Sequence, residues 1–176
     1  MKKTVVAQPI TAPSFAAYGE LLSLQNVPNF ACNQGRATRY HDLASAIDCA
    51  DMHGRVGFSV YACTASSLPF HVQVMECHPL GSQIFYPMTM DPSQRYLVAV
   101  APAGALDTER VCAFVVPGDQ GVNYRKGIWH LPIVALDQPL NFMALDRIGP
   151  GDNLEEVVVD FWINAAADQT SPSSPC

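Results

Sequence analysis

Glu76, His78, Gln83 and His130 are the residues of this sequence best suited to chemistry, spaced as Glu76-x-His78-x-x-x-x-Gln83 and Gly127-x-x-His130. One carboxylate, two imidazoles and an amide can hold a divalent cation such as Ni, Mn or Zn, with positions left open for water or substrate. A second arrangement fits the same residues: Glu76 and His78 hydrogen-bond each other while Gln83 satisfies a backbone group. Both readings stand at this level, and neither calls for an organic cofactor. Around these residues, segment 75–88 supplies Tyr86, while segment 117–132 supplies turn glycines, Asn123, Tyr124, Arg125 and Lys126. The two stretches read as halves of one polar site.

Positioning them is a task for strands. Fourteen prolines and eleven glycines punctuate short runs rich in Val, Ile, Phe and Tyr, which predicts many strands joined by tight turns. Strands are expected near 4–8, 20–24, 37–42, 54–64, 69–78, 82–86, 95–101, 110–116, 128–136, 140–146 and 154–162. Helix is scarce: one short helix capped by Thr11 and ended at Gly19, and a second over Leu43 to Asp48. That pattern favours a mainly β barrel or jelly roll over an α/β fold. Extended geometry from Pro69 onward sets Phe70, Val72 and Val74 on one face with Glu76 and His78. Cys77 and Trp129 then point away from the acid and from His130, into packing. His53 and His71 read as surface residues.

The chain of 176 residues, 49% of them hydrophobic, is long enough for one domain with a sizeable core, expected over 1–164. Residues 165–176 lack periodic apolar positions and read as a disordered tail. A net charge of -6 with dispersed Lys and Arg offers no stripe for nucleic acid. No apolar run approaches the length of a membrane helix, and Met1-Lys2-Lys3 is followed too soon by Gln8, Pro9 and Pro13 to form a signal peptide. Six cysteines without a Cys-x-x-Cys pair suit reduced, buried thiols in a cytoplasmic protein.

The spacing around Glu76 and His130 resembles the two motifs of the cupin superfamily, usually His-x-His-x4-Glu and Gly-x-x-His, with Glu in place of the first His and Gln in place of the acid. Longer blocks are similar to the ureidoglycolate lyase family, formerly called ureidoglycolate hydrolases: Arg39-Tyr40-His41-Asp42-Leu43, the run from Glu76 to Gln83 with Phe85 and Pro87-Met88, Gln120 to Tyr124 with Trp129-His130-x-Pro132, and Leu145-Asp146-Arg147. The opening Pro13-Ser14-Phe15-Ala16-Ala17-Tyr18-Gly19 is similar too. Some relatives carry a second histidine where this chain has Leu131.

The resemblance implies a cupin-type double-stranded β-helix, a homodimer, and release of urea and glyoxylate from ureidoglycolate in purine and allantoin breakdown. Such a reaction needs a guanidinium for the substrate carboxylate, for which Arg39 is favoured and Arg147 is the second candidate. It also needs a proton acceptor, for which His130 is favoured, with Glu76 and His78 holding a cation or its water. Gln83, Tyr86, Asn123 and Tyr124 are expected to orient the ureido group. Two other functions compete: another cupin enzyme acting on a small hydroxy or oxo acid, and a non-catalytic sensor of small acids. An iron oxygenase would want more imidazoles, and a sensor an attached signalling segment.

Overall fold

A computed structural model describes residues 3–25, 27–45 and 47–166. Fifteen strands and one α-helix make up most of it. In chain order they are β1 (Thr4–Pro9), α1 (Ala12–Phe15), β2 (Gly19–Ser23), β3 (Asn29–Cys32), β4 (Ala37–Tyr40), β5 (Arg55–Cys63), β6 (Ala65–Ser66), β7 (Phe70–Cys77) and β8 (Gln83–Pro87). Then follow β9 (Arg95–Ala101), β10 (Cys112–Pro117), β11 (Gln120–Tyr124), β12 (Trp129–His130), β13 (Val134–Leu136), β14 (Leu140–Ile148) and β15 (Glu155–Ala165). The expected mainly β barrel is therefore what the chain builds. Helix α1 starts as predicted, with Thr11 accepting from the Ser14 N–H and Ser14 Oγ accepting from the Thr11 N–H.

One sheet runs β10-β1-β15-β7-β12-β9-β13-β6, and pairing of β10 with β9 closes its first six strands into a ring. Val72, Met75, Leu97, Ala99, Phe161 and Ile163 fill the ring. A five-stranded sheet, β2-β11-β8-β14-β5, covers the outside of the ring at β9 and β10. Between them lies a second core built from Phe15, Phe85, Tyr96, Val98, Phe114, Tyr124 and Phe142. Two apolar layers thus share the wall formed by β9: Leu97 and Ala99 face one, Tyr96 and Val98 the other, as strand alternation requires.

Four expectations need correction. Residues 43–48 form no helix among the described residues. Asp48 is held to Ser82 in both directions, its N–H donating to Ser82 Oγ at 2.9 Å and its carbonyl accepting from the Ser82 N–H at 2.8 Å, while Leu43, Ala44 and Ile47 lie over the apolar outer face of the five-stranded sheet. The strand expected over 128–136 is two, β12 and β13, separated around Pro132, which has no N–H to give a ladder. Conversely β11, where no strand is expected from the sequence, is a central strand between β2 and β8.

The fourth concerns alternation along β7. Val72, Met75 and Cys77 all enter the ring core, so inward positions change from even to odd numbers between Val72 and Met75. The change falls where the β7–β15 register shifts, Val72 opposing Phe161 but Val74 opposing Val158. Val72 therefore does not share the face of Glu76. The domain end expected at 164 lies one residue short of the end of β15, and 167–176 of the expected tail lie outside the described residues.

Candidate active site

The β7–β12 pairing aligns Glu76 with His130 and Cys77 with Trp129. Residues opposite one another in an antiparallel pair share a face, so Cys77 and Trp129 enter the ring core together and Glu76 and His130 emerge together on the other side. Trp129 Nε1 donates to the Gly104 carbonyl at 2.7 Å. Gly127, in the left-handed region at φ 80°, makes the turn that admits β12. Its N–H donates to the His78 carbonyl at 2.9 Å, tying the His130 strand to the other imidazole.

On the facing sheet, Gln83 of β8 pairs with Tyr124 of β11, and both reach His130. The Tyr124 ring stacks on the imidazole, 4.3 Å between centres and 15° between planes. Gln83 Oε1 lies 3.0 Å from His130 Nε2, and Glu76 Oε1 lies 3.2 Å from the same nitrogen. His78 completes the group, its ring centre 5.3 Å from that of His130. Gln83 thus meets His130, not a backbone group, and Glu76, His78 and His130 offer ligand atoms all within 4.8 Å of one another.

The tautomers decide what this group can do. His130 Nδ1 faces the Ile128 carbonyl at 3.1 Å and His78 Nδ1 faces the Asn153 carbonyl at 2.6 Å; a carbonyl only accepts, so both Nδ1 atoms carry the proton. In the neutral rings each Nε2 then presents a lone pair. His78 Nε2 is buried without a hydrogen-bond partner, and His130 Nε2 points at two oxygens. Turning the Gln83 amide would relieve one of those contacts and leave the carboxylate. Lone pairs converging on one another are stable only around a positive charge, either a proton on His130 or a bound cation. The donor set, two imidazoles and a carboxylate with an amide oxygen, fits a borderline divalent ion.

Electrostatics agree. Burial works to raise the Glu76 pKa, but the hydrogen bond and charge that a protonated His130 supplies, with the charge of a protonated His78, hold it below the usual carboxylate value. Burial lowers the His78 pKa, outweighing the Asn153 carbonyl, so its Nε2 stays free at neutral pH. Burial pushes the Tyr124 phenol far above its ordinary value, which keeps it protonated; its hydroxyl is buried without a hydrogen-bond partner.

Other expected site residues stand elsewhere. Ile84 and Asn123 pair on the outer face of the five-stranded sheet, as do Tyr86 and Met143. Asn123 donates to Glu20 at 2.9 Å, and Tyr86 borders an apolar hollow with Leu22, Phe58 and Met143. Neither faces the cluster. Arg147 is buried and gives Nε and Nη2 to the Asp51 carbonyl and Nη2 also to Pro150, so it braces the 48–54 loop. Arg39 is exposed on the β3–β4 ribbon, its guanidinium 5.8 Å from the centre of the Phe30 ring. His71 pairs with Asp160 at the surface and His53 occupies an exposed turn, as expected.

Two neighbours escaped the sequence reading. Tyr61 of β5 packs edge-on against Phe85, 5.2 Å between ring centres, and feels the charges of Asp146 and Glu76. Asp146 of β14 acts in turn on His78. The available signal was the alternation Phe142, Ala144, Asp146, which carries the acid onto the core side of its strand.

Comparison with known proteins finds relatives along most of the chain. The family described as ureidoglycolate lyase matches residues 2–165. A ureidoglycolate lyase of Burkholderia mallei is 45% identical over 154 residues, 88% of each chain. Those of Burkholderia cepacia and Brucella ovis are 40% identical over 86% of this chain and 84% of theirs, and 38% identical over 88% and 89%, respectively. A solved structure of RmlC from Streptococcus suis in complex with dTDP-D-xylose aligns with a TM-score of 0.45 at 11% identity, over 86% of this chain and 73% of that one.

Proposed function

The chain belongs to the ureidoglycolate lyase family, and on that premise we propose that Glu76, His78, Gln83 and His130 form the centre at which it cleaves ureidoglycolate to glyoxylate and urea. The observation that carries this reading is the convergence of two imidazole lone pairs, an ionised carboxylate and an amide oxygen on one point.

The reaction is an internal proton relocation. The hydroxyl of the carbinolamide carbon loses its proton, the C–O bond becomes the carbonyl of glyoxylate, and the C–N electron pair leaves on the urea nitrogen, which takes up a proton. His78 Nε2, His130 Nε2 and Glu76, with Gln83 Oε1 beside them, would hold a divalent cation, Ni, Mn or Zn by ligand type. Bound there, the cation supplies polarisation of the substrate hydroxyl. His130, expected as the base, has only Nε2 available, and that atom points into the ligand set. The free oxygen of Glu76 is then the proton acceptor, its carboxyl held below the usual carboxylate value and so ionised at neutral pH. The Tyr124 hydroxyl, which stays protonated, donates a hydrogen bond to the ureido group, and its ring fixes His130 by stacking.

No helix among the described residues is long and apolar enough to cross a membrane. Among the described residues Cys32, Cys49, Cys63, Cys77 and Cys112 are free thiols; a reducing cytoplasm suits them, and we place the enzyme there as a homodimer. The test is a coupled assay for glyoxylate and urea, before and after chelation, with metal content measured on the purified protein. Metal-dependent release of both products in equal amounts is expected. Full activity in metal-free protein would move the proton-accepting role to His130 Nε2, and no release above spontaneous breakdown would refute the lyase reading.

A further inference from the structure

Ureidoglycolate carries a carboxylate, yet the groups around the cluster are themselves carboxylates: Glu76 and, on the facing sheet, Asp146, with Glu156 beside Glu76 on β15. The basic residues that sequence places next to the site are occupied elsewhere. Arg125 Nη1 donates to the Ala16 carbonyl at 2.6 Å, Lys126 bridges Asp48 and Asp51, and Arg147 holds the Asp51 and Pro150 carbonyls. A two-point guanidinium contact, the natural partner of a carboxylate, is missing from the described cluster.

The β3–β4 ribbon has the complementary surplus. It forms a sheet of its own, and its strands pack chiefly on each other and on the turn between them. Phe30 pairs with Arg39, and His41 lies edge-on to the Phe30 ring, so an aromatic ring, a guanidinium and an imidazole occupy one side. Phe30 is 47% exposed and Tyr40 38%. A free two-stranded ribbon is marginal in water and an exposed aromatic cluster adds to its cost; a covering surface would offset both.

The mouth of the site offers such a surface. Val74 and Val158 pair on the face from which Glu76 projects, and Val158 is 88% exposed. On the facing sheet the edge strand is β5, which turns Tyr61 toward the site and Val56, Phe58 and Val60 to its other face, away from the site. The acidic centre, with exposed Val158 and the Tyr61 ring beside it, matches a ribbon that presents Phe30, Arg39 and His41 on one side, with Arg36 nearby, and the unpaired edge of β5 invites a neighbour.

We propose that the β3–β4 ribbon reaches into the active site of a second copy of this chain, where Arg39 binds the substrate carboxylate, so that each site of the dimer is completed by its partner. This rests on the lyase reading above and says where its missing cation comes from.

The test co-expresses His130→Ala and Arg39→Ala chains with different tags and isolates the mixed dimer by two affinity steps. Each variant alone is expected to fall about 100-fold or more in kcat/KM, Arg39→Ala chiefly through KM with partial rescue by Arg39→Lys. The mixed dimer has one doubly damaged site and one intact site, so it should recover roughly half of wild-type activity. A mixed dimer as inactive as its parents would show that Arg39 acts within its own chain or only in folding, and overturns the proposal. Wild-type kcat/KM in Arg39→Ala does so too. Sedimentation provides the arm that needs no turnover: a wild-type dimer whose dissociation constant rises about 10-fold in Phe30→Ser is expected, and a monomeric wild type overturns the proposal even if the lyase reading holds. A wild type that dimerises through the ribbon but releases no glyoxylate would instead refute the lyase reading.

Discussion

The two faces of the β7–β12 pair are made by neighbouring residues and have opposite uses. Cys77 and Trp129 enter a dry core with Met75, Leu97 and Phe161, whereas Glu76 and His130, one position away on the same strands, converge on Gln83, His78 and Tyr124. The first face is satisfied: apolar surface meets apolar surface and the Trp129 N–H meets a carbonyl. The second is left with an orphan His78 nitrogen and an orphan Tyr124 hydroxyl. A buried polar group without a partner costs stability, so its persistence on one face alone marks the side where a ligand is to complete the bonding.

The largest effect expected from breaking this contrast is on turnover. His130→Ala should lower kcat by about 10³-fold while leaving the far-ultraviolet circular dichroism unchanged; assay by stopped-time release of urea checks it. The corresponding break on the packing face is Trp129→Ala, expected to cost about 3–5 kcal/mol by chemical denaturation with kcat/KM of the remaining folded enzyme unchanged. Turnover falling with Trp129 as steeply as with His130 would dissolve the distinction between the faces.

Smaller perturbations sharpen it. Tyr124→Phe removes a hydroxyl that has no partner in the free protein, so stability should hold or rise while kcat falls about 10-fold. Acid should weaken the metal-free protein in a defined sense. Burial keeps folded His78 neutral below the ordinary histidine pKa, so an unfolded chain takes up the proton first. Stability is full above the ordinary histidine range, declines as pH falls through it, and stops declining below the folded value. Urea midpoints across that range should drop less in His78→Gln than in wild type.

Much of this contrast was legible in sequence. The spacing of Glu76, His78, Gln83 and His130 named the cluster, and alternation correctly sent Cys77 and Trp129 away from it. The phase change between Val72 and Met75 was not legible, because it accompanies a register shift in the pairing with β15, a strand some eighty residues away. Asn123 and Tyr86 looked as suitable as Tyr124, yet period-two alternation left them on the outer face, and deciding which face is inner requires knowing what covers it. Arg147 is engaged by the fold for a different reason: the glycines at 54, 81 and 149 that surround it open a slot under the 48–54 loop, and no local signal tells such an arginine from one that binds substrate. The helix expected at 43–48 is absent among the described residues, and the end of that segment is instead tied down by Ser82, which bonds Asp48 in both directions.

Adjacent substitutions at positions 76 and 77 test the central claim most directly, by kcat/KM for ureidoglycolate cleavage measured on equal amounts of folded protein. Glu76→Gln should lose at least about 100-fold and Cys77→Ala should match wild type, its cost appearing only as a lower melting temperature. Wild-type kcat/KM in Glu76→Gln, or an equal loss at both positions, would contradict the assignment of chemistry to one face of these strands.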